Sequence, residues 1–257
     1  MSSIHESAII HANAQIGDDC EIGAFCVIGE HVKLGKGCRL HSHVVIDGHT
    51  ELGVGNEVFP FASIGLKTQD LKWKGGVTRT QIGDHNTLRE YVTVHSATGD
   101  GETTIVGSNN NILAYCHLAH NVVVGDHVIM SNVATLAGHV IVEDHAIIGG
   151  LAAIHQFCRI GRNSMIGGCS KIVQDALPFM ITDGNPAKTR FLNQEGLKRR
   201  GMSPEVQASL KQCFKWLCRD HLTTTKALDK MEEGFAEITE VQQLIKFIRD
   251  SERGIAT

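Results

Sequence analysis

A six-residue repeat constrains this chain more than any other feature. Stepping by six from Ile4 gives Ile4, Ile10, Ile16, Ile22, Ile28, Leu34, Leu40, Ile46, Leu52, Val58 and Ile64, all aliphatic. The series resumes at Ile82, Leu88 and Val94, then runs through Val106, Ile112, Leu118, Val124, Met130, Leu136, Val142, Ile148, Ile154, Ile160, Ile166 and Ile172. A period of six fits neither the 3.6 of an amphipathic helix nor the two of a half-buried strand. It fits a short flat strand followed by a turn. Three such units close a triangular coil, and coils stack at the ~4.8 Å strand spacing. The repeat therefore predicts an all-β solenoid of parallel strands with the aliphatic phase inside.

A second phase, four residues after each aliphatic, is small: Ala8, Ala14, Cys20, Cys26, Val32, Cys38 and Val44 early, then Cys116, Val122, Val128, Ala134 and Cys158. A narrow interior requires this, so five of the eight Cys read as small buried residues. Fourteen of the fifteen His lie in the repeat, and none falls in either inward phase. They are expected on turns and outer faces.

Residues 65–81, polar and basic with Trp73, and residues 95–105, rich in Gly, Thr and acid, interrupt the repeat. Insertions in solenoids map to surface loops and often to the binding face. The repeat fades after Ile172, and Pro178 and Asn185-Pro186 mark a linker. The expected division is a β-solenoid over 1–186 and a small α-helical C-terminal domain over 187–257. Ser203-Pro204 starts a helix whose stripe is Val206, Leu210, Phe214 and Leu217. Thr239 is expected to cap a last helix carrying Val241, Leu244, Ile245 and Ile248. The tail is too small to stand alone and should pack on the solenoid end or on another subunit.

A net charge of −4 gives no reason to expect nucleic acid or a membrane surface as partner. No stretch approaches the ~18 apolar residues of a membrane span, so no stable membrane insertion is expected. The N-terminal residues do not read as a signal peptide. The expected setting is the cytoplasm, with the Cys as thiols.

The densest chemistry is Ala114-Tyr-Cys-His117-Leu-Ala-His120-Asn121. With about 18 residues per coil, His120 lies beside Gly138 and His139, and these beside His155 and Gln156. An imidazole suits general-base work near neutral pH. A hydroxyl held against His120 can lose its proton while attacking a carbonyl, with the Gly138 N–H steadying the oxyanion. Two other readings stay open: solvated surface His, or a ladder of His120, His139 and His155 that binds zinc. In the basic loop, Asp70 and Lys72 suit a sugar or diphosphate. Lys198, Arg199 and Arg200 suit phosphate, or form an ordinary solvated helix face.

Several motifs together resemble one family, the UDP-N-acetylglucosamine O-acyltransferases that begin lipid A synthesis in Gram-negative bacteria. They are Ser42-His43-Val44-Val45, Gln69-Asp70-Leu71-Lys72, His117-Leu-Ala-His120, Leu136-Ala-Gly-His139-Val140, His155-Gln156-Phe157, Gly167-Gly168-Cys169-Ser170 and Glu195-Gly-Leu-Lys-Arg-Arg200-Gly201. The resemblance spans essentially the whole chain and implies a left-handed parallel β-helix, a homotrimer with sites between subunits, and no cofactor. It implies transfer of a 3-hydroxyacyl chain from acyl carrier protein to the 3-hydroxyl of a UDP-sugar. His120 would be the base and Gly138 the oxyanion donor. Asp70, Lys72, His95, His117, His139, His155, Gln156, Asn193, Glu195, Arg199 and Arg200 would contact substrate or donor. Gly168 would limit acyl length and, as Gly, admit a longer chain.

The chain departs from the family twice. Asn121 follows His120 where the family often has Asp, which predicts a less basic His120. Ser96-Ala97-Thr98 replaces Arg-Gly-Thr, which opens the alternative of a 3-amino UDP-sugar acceptor. The competing functions are an N-acyltransferase of the same pathway, a trimeric zinc enzyme of carbonic anhydrase type, and a non-catalytic scaffold. The first is disfavoured because the repeat starts at Ile4 without a preceding domain.

Overall fold

The computed structural model describes residues 2–257. The aliphatic phase builds a left-handed parallel β-helix of two-residue strands, lengthened to three or four beside the insertions. Three sheets of eleven, nine and eight strands form the sides of a prism, and each strand pairs with the third one along the chain. Every pairing within the coils is parallel; the one antiparallel pair, Met180–Gly184 with Ala187–Leu192, follows the last coil. Ile22, Leu40, Val58, Leu88, Ile112, Met130, Ile148 and Ile166 stack in one buried column. Each such side chain contributes on the order of 1.5–3 kcal/mol by leaving water.

Corners hold five of the fourteen repeat histidines. The residue before most of the small inward positions turns the chain with positive φ, as at Asp19, His43, His85, Asn109, Asn121, His127, His139, His145 and Asn163. Asn, Asp and His tolerate this left-handed region better than most side chains. Three edges result. Phe25, His43, Phe61, Tyr91, Tyr115, Val133, Leu151 and Cys169 run along the first. Asn121, His139 and Phe157 lie on the second, and His85, Asn109, His127, His145 and Asn163 on the third.

The small phase is buried as expected. Cys20, Cys26, Cys38, Cys116 and Cys158 are inaccessible to solvent, and all eight Cys are free thiols. Three larger polar residues share that phase and form an internal ladder. Asn86 donates its backbone and side-chain N–H groups to Asn56 Oδ1, thirty residues earlier. The Asn110 N–H then donates to Asn86 Oδ1, twenty-four residues on, and the Val128 N–H to Asn110 Oδ1, eighteen on. The spacings of thirty and twenty-four measure the two insertions. Both leave the solenoid at the second edge, after strands Ser63–Leu66 and Thr93–His95.

The tail has four helices, α1 (Gln194–Arg199), α2 (Pro204–Cys218), α3 (Thr224–Phe235) and α4 (Thr239–Arg249). Ser203 caps α2 as expected, its Oγ accepting from the Val206 N–H. α3, capped by Thr223, was not foreseen. Thr239 is not a cap: Ile238 stands there without a side-chain bond, and Thr239 is already helical. The helices pack against Leu177, Phe179 and Met180 and close the C-terminal end of the prism. Arg159 stacks on Phe247 and donates to its carbonyl. Ala256 donates to the Asp175 carbonyl. Among the described residues no helix is long and apolar enough to cross a membrane.

Candidate active site

Two insertions and one corner assemble on the second edge. Strand His117–Leu118 pairs with Thr93–His95, which pairs with Ser63–Leu66, so the loops leaving the last two hang over the turn at His120 and Asn121. The segment Ser96–Thr98 forms the seam between loops. The Ser96 N–H donates to the Leu66 carbonyl, Thr78 Oγ1 donates to Ser96 Oγ at 3.1 Å, and the Thr98 and Thr68 hydroxyls meet at 3.0 Å.

His120 is the centre of the cluster, with its side chain 14% exposed. Its Nδ1 lies 3.0 Å from Asn121 Oδ1, and its Nε2 lies 3.7 Å from Asp70 Oδ2. The other Asp70 oxygen accepts from the Lys72 N–H at 3.0 Å, which holds the carboxylate. Gly138 is the coil neighbour of His120, and a Cβ there would come within 2.4 Å of His120 Nε2 and Cε1. Only glycine leaves room for that ring. Among the described residues the Gly138 N–H has no backbone acceptor, while its carbonyl accepts from Phe157.

Three more histidines surround this group. His139 meets His120 edge-on with ring centroids 5.2 Å apart. His95 and His117 meet edge-on at 5.0 Å, and His117 Nδ1 lies 2.7 Å from Thr93 Oγ1. Burial, then His95 and His120, push His117 down to about 4. Burial and His120 lower His95 and His139. His117, held that low, is neutral at pH 7 and meets Thr93 as a hydrogen-bonding group. His95 lies in neither inward phase yet is only 7% exposed.

The expected ladder of three has two rungs. His139 stacks on Phe157 at 4.7 Å, whereas His155 is exposed and turns its Nδ1 to the Gln156 carbonyl. The eighteen-residue register places Phe157, not His155, beneath His139. Among the described residues no three His, Cys, Asp or Glu side chains are grouped to hold a metal ion.

Other sequence candidates lie elsewhere in the chain. A depression of about 680 Å³ is lined by His145, Asn163, Arg199, Arg200, Met202, Ser203 and Val206, on the third edge. Arg200 is exposed, although the desolvation it does undergo lowers its guanidinium. Asn193 is committed to structure: its Oδ1 accepts from the Gly196 N–H at the start of α1, and its Nδ2 donates to the Asn163 carbonyl. Glu195 occupies the first turn of α1. Gly168 is exposed at the first edge, where an added Cβ would meet only the Gly150 carbonyl at 3.3 Å. In one chain, therefore, His120, Gly138, Asp70, Lys72, His95, His117 and His139 come together, and Arg199, Arg200 and Gly168 do not join them. Sequence reasoning missed Thr93, Thr98 and Glu102. Their only signal was membership of the inserted segments and of the strand beside them.

Comparison with known proteins bears on this arrangement. The family model described as Udp N-acetylglucosamine O-acyltransferase, domain 2, matches residues 175–256. The bacterial transferase hexapeptide model matches 1–33 and 13–48. The chain is 50% identical to the acyl-[acyl-carrier-protein]–UDP-N-acetylglucosamine O-acyltransferase of Thermodesulfovibrio yellowstonii, over 99% of each. It is 46% identical to the same-named protein of Saccharophagus degradans, again over 99% of each. Among solved structures it superimposes on LpxA from Acinetobacter baumannii with a TM-score of 0.96 at 42% identity, covering 99% of both chains. LpxA from Bacteroides fragilis gives 0.96 at 36% identity, over 99% of this chain and 100% of that one.

Proposed function

This chain belongs to the UDP-N-acetylglucosamine O-acyltransferases, and from that premise we propose that it moves a (R)-3-hydroxyacyl chain from acyl carrier protein to the 3-hydroxyl of UDP-N-acetylglucosamine, the first step of lipid A synthesis. The observation that carries the mechanism is the setting of His120, its Nδ1 engaged by Asn121 and its Nε2 open toward Asp70 and Gly138. His120 Nε2 takes the proton of the sugar hydroxyl as that oxygen attacks the thioester carbonyl. The Gly138 N–H donates to the oxyanion. Collapse breaks the carbon–sulfur bond, and the departing thiolate receives the proton from His120. Asp70 accepts from a sugar hydroxyl, and Lys72 sits beside it for a phosphate. The reaction needs no cofactor. A cytoplasmic setting agrees with eight free thiols.

The working unit in this reading is a homotrimer. An exposed apolar ridge along the first edge, with Phe25 at 58%, Tyr115 at 57% and Leu151 at 58%, calls for a partner surface. Turning that edge toward a threefold axis brings the second edge of one subunit beside the third edge of the next. His120 then faces a neighbour's Arg199 and Arg200, which belong to nucleotide or carrier-protein contacts.

The test is an acyl-transfer assay with UDP-N-acetylglucosamine and its 3-amino analogue, each against donors of several lengths. His120→Ala is expected to lower kcat by about 10²–10⁴ with a small change in KM. Full activity in that variant overturns the base assignment, and preference for the amino analogue overturns the acceptor. A preference for ten-carbon over longer donors overturns the room assigned to Gly168.

A further inference from the structure

Asn121 is neutral, yet its surroundings tie His120 to a charge. The Thr98 N–H donates to Asn121 Oδ1 at 3.0 Å, so the oxygen of that amide is identified by its partner. Asn121 Nδ2 donates to Glu102 Oε2 at 2.7 Å, and a carboxylate at that place only accepts. The amide therefore has one orientation. Its oxygen faces His120 Nδ1, so that nitrogen carries the proton and Nε2 the lone pair. The Asn121 N–H is fixed as well, donating to Thr104 Oγ1 at 2.8 Å. Glu102 Oε2 also accepts from the Gly99 N–H at 2.8 Å. These two donors, Asn121 first, hold the Glu102 carboxyl below the usual range, so it is an anion at neutral pH.

We propose that Glu102 is a positioning residue for the acyl transfer, its charge acting through the Asn121 amide to hold His120 with Nε2 free and to stabilise the imidazolium formed when the sugar hydroxyl is deprotonated. The proposal rests on His120 being the base. The proton moves from the 3-hydroxyl to His120 Nε2 and from there to the thiolate; Asn121 and Glu102 exchange none. A neutral side chain beside the base is thus compatible with charge stabilisation, because the charge enters one hydrogen bond further out, from the second insertion. The other charged or titratable groups facing His120 are Asp70 and Lys72 from the first insertion, His95 and His117 on neighbouring strands, and His139 on the next coil. Asp70 lies on the Nε2 side and meets substrate, whereas Glu102 acts on the Nδ1 side.

Glu102→Gln isolates the charge, since one oxygen of Glu102 makes both bonds and the amide oxygen of Gln replaces it. The expected result is a kcat lowered by about 10- to 100-fold, less than the loss of the base itself. The ascending limb of kcat/KM against pH should move about half a unit or more to lower pH, because removing an anion disfavours imidazolium. Adding Asn121→Asp to Glu102→Gln restores a carboxylate against His120 and should return both the limb and most of kcat. Melting temperatures of the single and double variants verify folding. A Glu102 that merely holds its loop would lower activity without moving the limb and without rescue by Asn121→Asp. That outcome, or an unchanged kcat and limb in Glu102→Gln, overturns the proposal. Retention of activity by His120→Ala instead overturns the base assignment beneath it.

Discussion

At Gly138 the backbone passes so close to the His120 ring that a methyl group has no place. A Cβ would stand 2.4 Å from Nε2 and Cε1, so the imidazole would have to swing and give up Asn121. Gly138→Ala is therefore expected to lower kcat/KM by about 10²-fold or more, the cost of displacing a base by an ångström. The melting temperature should shift little, because the nearest atoms an added Cβ would press on are those of the His120 ring and the glycine has no positive φ to protect. Equal activity in the alanine variant would mean that His120 is not held where its proton transfer requires. Much of this cluster was legible in the sequence. The eighteen-residue coil brings Gly138 to His120 by counting alone, and a glycine next to an imidazole on a corner is an informative pair. The role of Glu102 was not legible, because it lies in an insertion, outside the repeat that makes counting possible. Asn121 taken alone offers the base no counter-charge, and its sequence neighbours do not show where one could enter.

Elements in this fold differ in how strongly the sequence specifies them. The two-residue strands are imposed by the hexapeptide, and their register follows from the aliphatic phase, since a slip would move Ile or Leu to the outside. The insertions escape that logic, and what keeps the coils in register across them is the interior ladder of Asn56, Asn86 and Asn110. Asn86 is the middle rung: its Oδ1 accepts from the Asn110 N–H, and its Nδ2 donates to the Gly107 carbonyl and to Asn56 Oδ1. Replacing it with alanine strands the Asn110 N–H and the Gly107 carbonyl on the next coil and removes one of the two donors to Asn56 Oδ1. Asn86→Ala should cost about 2–5 kcal/mol in denaturant unfolding. Activity per folded molecule should persist, because the ladder is on the third edge and His120 on the second. A loss below ~1 kcal/mol would show that water or a shifted coil replaces the ladder. Asn56 falls in the small inward phase by counting, but a repeat pattern gives no hydrogen-bond partner. The helices show the converse. α2 declares itself through Ser203-Pro204 and a clean stripe, while α3 buries little beyond Ala227 and Met231 and so leaves a weak pattern. α4 begins without a side-chain cap, which is why Thr239 misled.

For the whole molecule, the distribution of chemistry over three edges bears on assembly. The base, its glycine and the two loops share one edge; Arg199 and Arg200 sit on another; the exposed apolar ridge runs along the remaining one. If a complete site takes His120 from one subunit and Arg200 from the next, two inactive chains can repair each other. His120→Ala keeps its arginine, and Arg200→Ala keeps its histidine. In a cyclic trimer each mixed molecule, whichever chain is in the majority, has one junction where both residues are intact. Equal co-expression then gives about three mixed trimers in four, and the mixed trimers selected for assay have one good site in three, or about a third of wild-type activity. Each variant alone should remain far below that level. The readout is acyl transfer by trimers purified through two different tags, with mass confirmed by analytical ultracentrifugation. Activity no higher than the mean of the separate variants would place all essential groups in one chain. A monomer at assay concentration would leave the apolar ridge without the partner assigned to it. The two-tag measurement also separates assembly from chemistry, since a trimer that forms but does not complement still supports the ridge as an interface while rejecting Arg200 as part of the neighbour's site.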